Sequence, residues 1–203
     1  MKLITLFILL LILNSCSLEQ NGGAPLPEEL PIHESEKIQP KIEQHEEPKI
    51  FFDFDEVIHY GIEMYDDAAD SLWENENRNS NEELLHNVVN VSDFPASLNE
   101  VNFLSKLTSI GFTKQQISEE NLERFHTIFI EDHYGENYET TCIPYFRDLL
   151  VFKNQGQMIG FVKLCFDCNV KLFLGTDANP DLFTIPHMNS LFSILHKGEI
   201  LPW

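Results

Sequence analysis

Hydrophobic and polar residues alternate where the chain first becomes rich in apolar side chains. Ile58, Tyr60, Ile62 and Met64 are separated from one another by polar or small residues. A period of two residues is typical of a strand that buries one face. The pattern therefore predicts an N-terminal β-strand.

Three helical segments are predicted after this strand. Ser80-x-x-Glu83 and Ser97-x-x-Glu100 match the capping box that begins many helices, and Ser118 can cap a third. Apolar residues recur at helical spacing in the last two segments, at Leu98, Val101, Leu104 and Leu107 and at Leu122, Phe125, Ile128 and Phe129. We expect three helices that pack these apolar faces against the core, the second of them ending at Gly111.

Three short strands and a helix complete the pattern. The strands are predicted from Tyr145 to Lys153, Gln157 to Cys165 and Asn169 to Leu174, and Pro186 can open a final helix that Gly198 closes. Strands and helices are segregated along the chain rather than alternating. This order predicts an α+β domain in which several helices cover an antiparallel sheet, made of the C-terminal three-stranded meander and the N-terminal strand.

The turn between the first two of these strands also predicts their register. A turn centred between Gln155 and Gly156 pairs Phe161 with Leu150, Ile159 with Phe152 and Lys163 with Asp148. The last pair would be a cross-strand ion pair.

The first 15 residues resemble a bacterial lipoprotein signal. Met1-Lys2 precedes an apolar run from Leu3 to Leu13, and Leu13-Asn14-Ser15-Cys16 follows. The resemblance implies that Cys16 is lipidated and that the chain is anchored to a membrane in the bacterial cell envelope, outside the cytoplasm. An ordinary secretory signal or an uncleaved anchor is the alternative.

Residues 16–49 differ in composition from the rest of the chain. They hold five of the ten prolines and no aromatic residue, and glutamate is abundant. Such a segment buries too little apolar surface to fold, so we expect a disordered tether. Residues 50–203 are predicted to form a single globular domain.

The chain is strongly acidic, with 33 Asp and Glu against 13 Lys and Arg and a formal charge of −20. Nucleic acid would be repelled by this charge, so we expect no nucleic-acid partner. A protein partner is expected to be basic.

The cysteines carry the least common chemistry of the sequence. The predicted register brings Cys142 to the end of the hairpin that holds Cys165 and Cys168. Covalent haem requires His after the second cysteine of Cys-x-x-Cys, and Asn169 stands there. A thioredoxin-like redox motif would open a helix, whereas a strand is predicted to follow.

Two interpretations of the three cysteines stay open. Cys-x-x-Cys in a tight turn resembles the knuckles of zinc ribbons and rubredoxins, so the cluster could hold a structural zinc. The fourth ligand would be His133, His187 or Asp167. The alternative is a structural disulfide, which an oxidising compartment favours, with one thiol left over.

Two further resemblances concern function. Phe51-Phe52-Asp53-Phe54-Asp55 resembles the first motif of haloacid dehalogenase phosphatases, but the lysine and later carboxylates of that reaction are not apparent, which favours an edge strand with exposed acids. The run Cys142-x-Pro144-x-x-Arg147-Asp148 through Cys165-Phe166-x-Cys168 resembles small exported proteins and lipoproteins of the Bacteroidota. That resemblance implies a shared three-cysteine hairpin and no activity.

These observations favour a membrane-anchored envelope lipoprotein whose domain is a binding module for a protein or a small ligand, with no catalytic residue assigned. One alternative is a metal- or thiol-dependent enzyme that uses Cys142, Cys165 and Cys168 with His133. Another is an acidic, immunity-type inhibitor of a basic toxin.

Overall fold

One antiparallel sheet of five strands lies between two layers of helices. A computed structural model of the chain describes residues 47–137 and 141–197. The strand order is β2-β1-β3-β4-β5, with every neighbouring pair antiparallel. The strands are β1 Glu56–Gly61, β2 Thr113–Gln116, β3 Asp148–Asn154, β4 Gln157–Cys165 and β5 Val170–Leu174. The predicted α+β class is confirmed.

The helical elements are α1 Asp66–Glu74, α2 Ser80–Asn90, α3 Glu119–Ile128 and α4 Ile185–Leu195, together with 3₁₀ segments at Leu98–Ile110 and Pro180–Leu182. Strand β2 and helix α1 were not predicted, because β2 is exposed at all four positions and α1 lacks a capping side chain. The predicted close of α4 at Gly198 lies outside the described residues.

The predicted capping chemistry is wrong in detail, because Ser97 and Ser118 stand at the N-caps without a side-chain capping hydrogen bond and the cap of α2 lies one residue earlier than predicted. The side chain of Asn79, rather than Ser80, accepts the first amides of α2, and Glu82 completes the capping box. The segment after Ser97 is a 3₁₀ helix instead of an α-helix. It ends as predicted at Gly111, whose φ of 109° suits a residue without a Cβ.

The two faces of the sheet bury separate apolar clusters. Val57 of β1 and Leu150 of β3 point to the layer that contains α3 and α4, which we call the α3/α4 face. Ile58 and Val151, their neighbours in sequence, point to α1, α2 and the long 3₁₀ segment, which we call the α1/α2 face. Alternate residues of a strand point to opposite faces, so each interior strand is buried on both sides.

A β-bulge changes the predicted register of the β3–β4 hairpin. Next to the turn, Asn154 pairs with Gln157 and Lys153 with Met158, as the prediction requires. Beyond the bulge Phe152 pairs with Gly160, and a Cβ on Gly160 would come within 2.3 Å of the Phe52 ring. The bulge thus places a residue without a side chain under Phe52, and every later pair shifts by one position.

The predicted ion pair between Lys163 and Asp148 is therefore wrong. Lys163 pairs with Leu149 and Asp148 with Leu164, as Phe161 pairs with Val151. A shift of one residue moves a side chain to the other face of the sheet. Lys163 is fully buried on the α1/α2 face, where its Nζ donates to the carbonyl oxygens of Val91 and Phe94, each at 2.7 Å.

The phosphatase-like segment is a loop that leads into the sheet. Phe52 and Phe54 are buried while Asp53 and Asp55 are exposed, as the prediction of exposed acids requires. However, β1 lies between β2 and β3 and is not an edge strand. The Asp55 carboxylate accepts the Gln155 amide of the hairpin turn at 2.8 Å, so it has a structural partner.

Within residues 47–137 and 141–197, none of the helices combines the length and the apolar composition that a membrane span requires. The predicted signal and most of the tether lie outside these ranges.

Candidate functional site

The structure joins two of the three clustered cysteines. Cys142 and Cys168 form a disulfide with a Cα separation of 5.8 Å, and it fastens the segment before β3 to the turn between β4 and β5. Cys165 is a buried thiol on the α1/α2 face, packed with Phe146 and Cys168. Burial raises its pKa, so Cys165 is a weak nucleophile in this fold.

The three candidates for a fourth zinc ligand each have other contacts. His133 Nε2 lies 3.6 Å from the Glu131 carboxylate, and Asp167 accepts Arg147 Nη1 at 2.7 Å. His187 Nδ1 accepts the Thr184 amide at the start of α4 at 2.9 Å. Among the residues that the structure describes, no group of three or more His, Cys, Asp and Glu side chains is arranged to hold a metal ion.

A cavity of about 350 Å³ lies on the α3/α4 face. It opens between the paired strands β1, β2 and β3 and the C-terminal end of α4, and the turn after β4 forms a further wall. Residues from these separate elements contribute its most polar wall: His59 and Asp148 from the sheet and His196 from the end of α4.

His59, Asp148 and His196 meet at one carboxylate oxygen, and we call these three residues the His-Asp-His cluster. The Nε2 atom of His59 lies 2.7 Å from Asp148 Oδ1, and Nε2 of His196 lies 3.3 Å from the same oxygen. His59 is 8% exposed and Asp148 4%. One buried carboxylate thus connects a strand in the middle of the sheet to the end of a helix.

Electrostatics favour the ionised form of Asp148. Burial alone would raise the pKa of this carboxyl, but hydrogen bonds from His196 and His59 outweigh burial and bring the pKa below its ordinary value. Gly61 gives the His59 ring its space, because a Cβ at this position would approach the ring to 3.1 Å. The cluster therefore presents a buried carboxylate that is hydrogen-bonded to the His59 ring, with Nε2 of His196 close to the same oxygen.

An aromatic wall lies beside the cluster. The Phe192 ring stacks on His196 with centroids 4.3 Å apart, and Phe166 meets Phe192 edge-on at 5.1 Å. Both phenylalanines line the cavity. Polar and apolar side chains line this cavity in similar measure, and convergent polar groups beside an apolar wall are a common feature of small-molecule sites.

Arg147 forms the opposite rim and is held by acids on both sides. Its guanidinium is paired with Asp66 of α1 and with Asp167 of the disulfide-bonded turn. The neighbouring Tyr145 hydroxyl donates to Asp70, and this hydrogen bond together with burial raises the pKa of Tyr145 to about 12. The rim is thus a set of paired charges that connects α1, β3 and the turn.

The sequence predicted none of this site. His59 and His196 lack the paired spacing that indicates metal ligands, and Asp148 was predicted to pair with Lys163. Residues 59 and 148 meet only through the β1–β3 pairing, across 89 positions of sequence. The alternation of the first strand places His59 on the polar face, whereas the structure buries both faces of β1.

Comparison with known proteins does not assign the chain to a family. No protein-family model matches the chain, and no curated protein or solved structure shows significant similarity to it.

Proposed function

We propose that this chain is a lipid-anchored protein of the bacterial cell envelope whose domain binds a small ligand in the cavity on the α3/α4 face. Cys16 would carry the lipid, and residues 16–49 would hold the domain away from the membrane. The observation that carries the ligand-binding role is the His-Asp-His cluster, a buried ionised carboxylate at the wall of a cavity. A titratable group whose pKa is shifted by burial and a specific partner, and which lies in a cleft, is a candidate for a functional site.

Ligand binding is tested by a cavity-blocking variant and its neighbour. Gln115 lies opposite His59 on the exposed edge strand β2 and lines the cavity, whereas Lys114 points to the other face, over the Tyr60 ring. A fragment library is screened by ligand-observed NMR against the full chain, Gln115→Trp and Lys114→Trp. We expect hits that persist with Lys114→Trp and disappear with Gln115→Trp. If the same fragments bind to both variants as they bind to the wild type, the binding site is not in the cavity.

The lipid anchor has its own test. In cells that express the chain, a clickable palmitate analogue should label the wild type and not Cys16→Ala. Labelling that survives this substitution would contradict anchoring through Cys16.

A basic protein partner is a second candidate function, favoured by the surface of α1. Trp73 is 57% exposed on this acidic helix, and Tyr65, at its N-cap, is 86% exposed. Exposed aromatic rings among acids fit a partner rich in arginine or lysine, which includes a basic toxin. Capture from envelope extracts should weaken with salt and with Asp67→Lys. The same reversal at Glu119 on α3, which covers the other sheet face, is the control.

The alternative of a metal- or thiol-dependent enzyme has less support. The disulfide occupies two of its three sulfurs, and burial holds Cys165 as a thiol. A structural zinc would require a reduced form of the cluster. Native mass spectrometry with thiol counting distinguishes one zinc with no disulfide from one disulfide with one free thiol.

A further inference from the structure

We propose that the ligand of the cavity is a small organic cation, an amine carried on a flat apolar body. This inference rests on the proposed function, since it names the chemical class that the same cavity would bind. It follows from the charge at the His-Asp-His cluster, the aromatic wall and the state of the charged groups at the rim.

The cluster leaves a negative charge at the cavity wall. Asp148 is 4% exposed, and the Nε2 atoms of His59 and His196 lie 2.7 and 3.3 Å from its Oδ1 atom. A neutral imidazole can donate a hydrogen bond to a carboxylate without cancelling the carboxylate charge. An unbalanced charge away from water is unfavourable, so an ammonium group in the cavity would be attracted to it.

The aromatic wall fits both parts of such a ligand. Phe166, Phe192 and His196 present a set of rings with centroids between 4.3 and 5.8 Å apart. A flat apolar body can stack on such rings, and a cation near a ring face gains a further electrostatic attraction.

The basic groups of the rim do not offset this preference. Arg147 is paired with Asp66 and Asp167, so its charge is already balanced by two carboxylates. Lys197 is the other lysine or arginine that lines the cavity, and Glu63 lines it as well. The Asp148 carboxylate would therefore repel an anionic ligand, and the basic side chains of the rim would do little to attract it.

The test uses three probes that share one ring system and differ in charge. Tryptamine carries an ammonium group, tryptophol a hydroxyl and indole-3-acetate a carboxylate. Calorimetry on the full chain should give tryptamine an affinity about tenfold or more above that of tryptophol near pH 7.5, with indole-3-acetate weakest.

A variant assigns the preference to one carboxylate. Asp148→Asn keeps the shape and removes the charge, so tryptamine should lose its advantage over tryptophol, while Asp53→Asn at an exposed loop position should keep it. If Asp148→Asn does not fold, the wild-type comparison of the three probes decides.

The outcomes separate the two proposals. Tighter binding of indole-3-acetate or tryptophol would overturn the cationic ligand and leave a ligand site in place. Equal binding by all three would also overturn it. No binding by any probe at millimolar concentration, together with no fragment hit in the cavity, would overturn the proposed function itself.

Discussion

Replacement of Lys163 by methionine should remove a pH-dependent part of the stability of this domain. Lys163 is fully buried on the α1/α2 face, and its ammonium group donates to two carbonyl oxygens at the end of α2 and in the following loop. Its Nζ also lies 4.3 Å from the centre of the Phe146 ring. Methionine fills a similar volume but carries no charge and donates no hydrogen bond.

The sign and size of the effect follow from the pKa. Burial lowers the pKa of Lys163 from 10.5 to about 7. Between these values the unfolded chain binds the proton and the folded chain releases it, so this group makes the domain more stable as the pH rises. Each unit is worth about 1.4 kcal/mol, which gives roughly 2 to 3 kcal/mol between pH 7 and pH 9. The two carbonyl acceptors stabilise the charged form and act against the shift.

Urea unfolding of the wild type and Lys163→Met across this pH range measures the effect. The difference in unfolding free energy between the two proteins should change by about 2 kcal/mol in favour of the wild type from pH 7 to pH 9. Lys106→Met, at an exposed position of the long 3₁₀ segment, should give a constant difference. A constant difference for Lys163→Met would refute a depressed pKa at this site.

Three further predictions follow from the fold. Gly160→Ala should lower the unfolding free energy by about 1 to 3 kcal/mol because its Cβ would enter the Phe52 ring, and an unchanged unfolding free energy in urea would contradict this crowding. Cys142→Ser should lower the unfolding free energy by about 3 kcal/mol through loss of the disulfide, measured by chemical unfolding, and an unchanged midpoint would mean that the bond does not form. Asp70→Asn should lower the pKa of Tyr145 from about 12, measured by absorbance of the phenolate. An unchanged pKa would show that the hydrogen bond to Asp70 does not raise it.

Much of the fold was predictable because its signals are local. The ends of β4 coincide with the prediction, since a Gly-containing turn and a Cys-x-x-Cys turn bound it. Gly111 ends its helix as expected because its φ of 109° excludes most other residues. Proximity of Cys142 to the hairpin end also followed from the turn, since the bulge displaces the register by only one position.

Other features depend on contacts that no local pattern contains. The Phe52 ring, more than 100 positions away in sequence, occupies the space that a Cβ on Gly160 would need, so no local pattern indicates this contact. The register shift at the bulge places Lys163 and Asp148 on opposite faces of the sheet instead of pairing them. Lys163 is therefore buried on the α1/α2 face, and Asp148 lies at the cavity on the α3/α4 face.

Ligand binding beside the His-Asp-His cluster can be measured by ¹⁵N NMR of the histidine rings. The full chain is titrated with whichever of the three indole probes binds. The signals of His59 and His196 should shift together with a single affinity, while His86 and His126, which lie outside the cavity, should not respond. A response confined to His86 or His126, or none at His59 and His196 while the probe binds, would contradict the account.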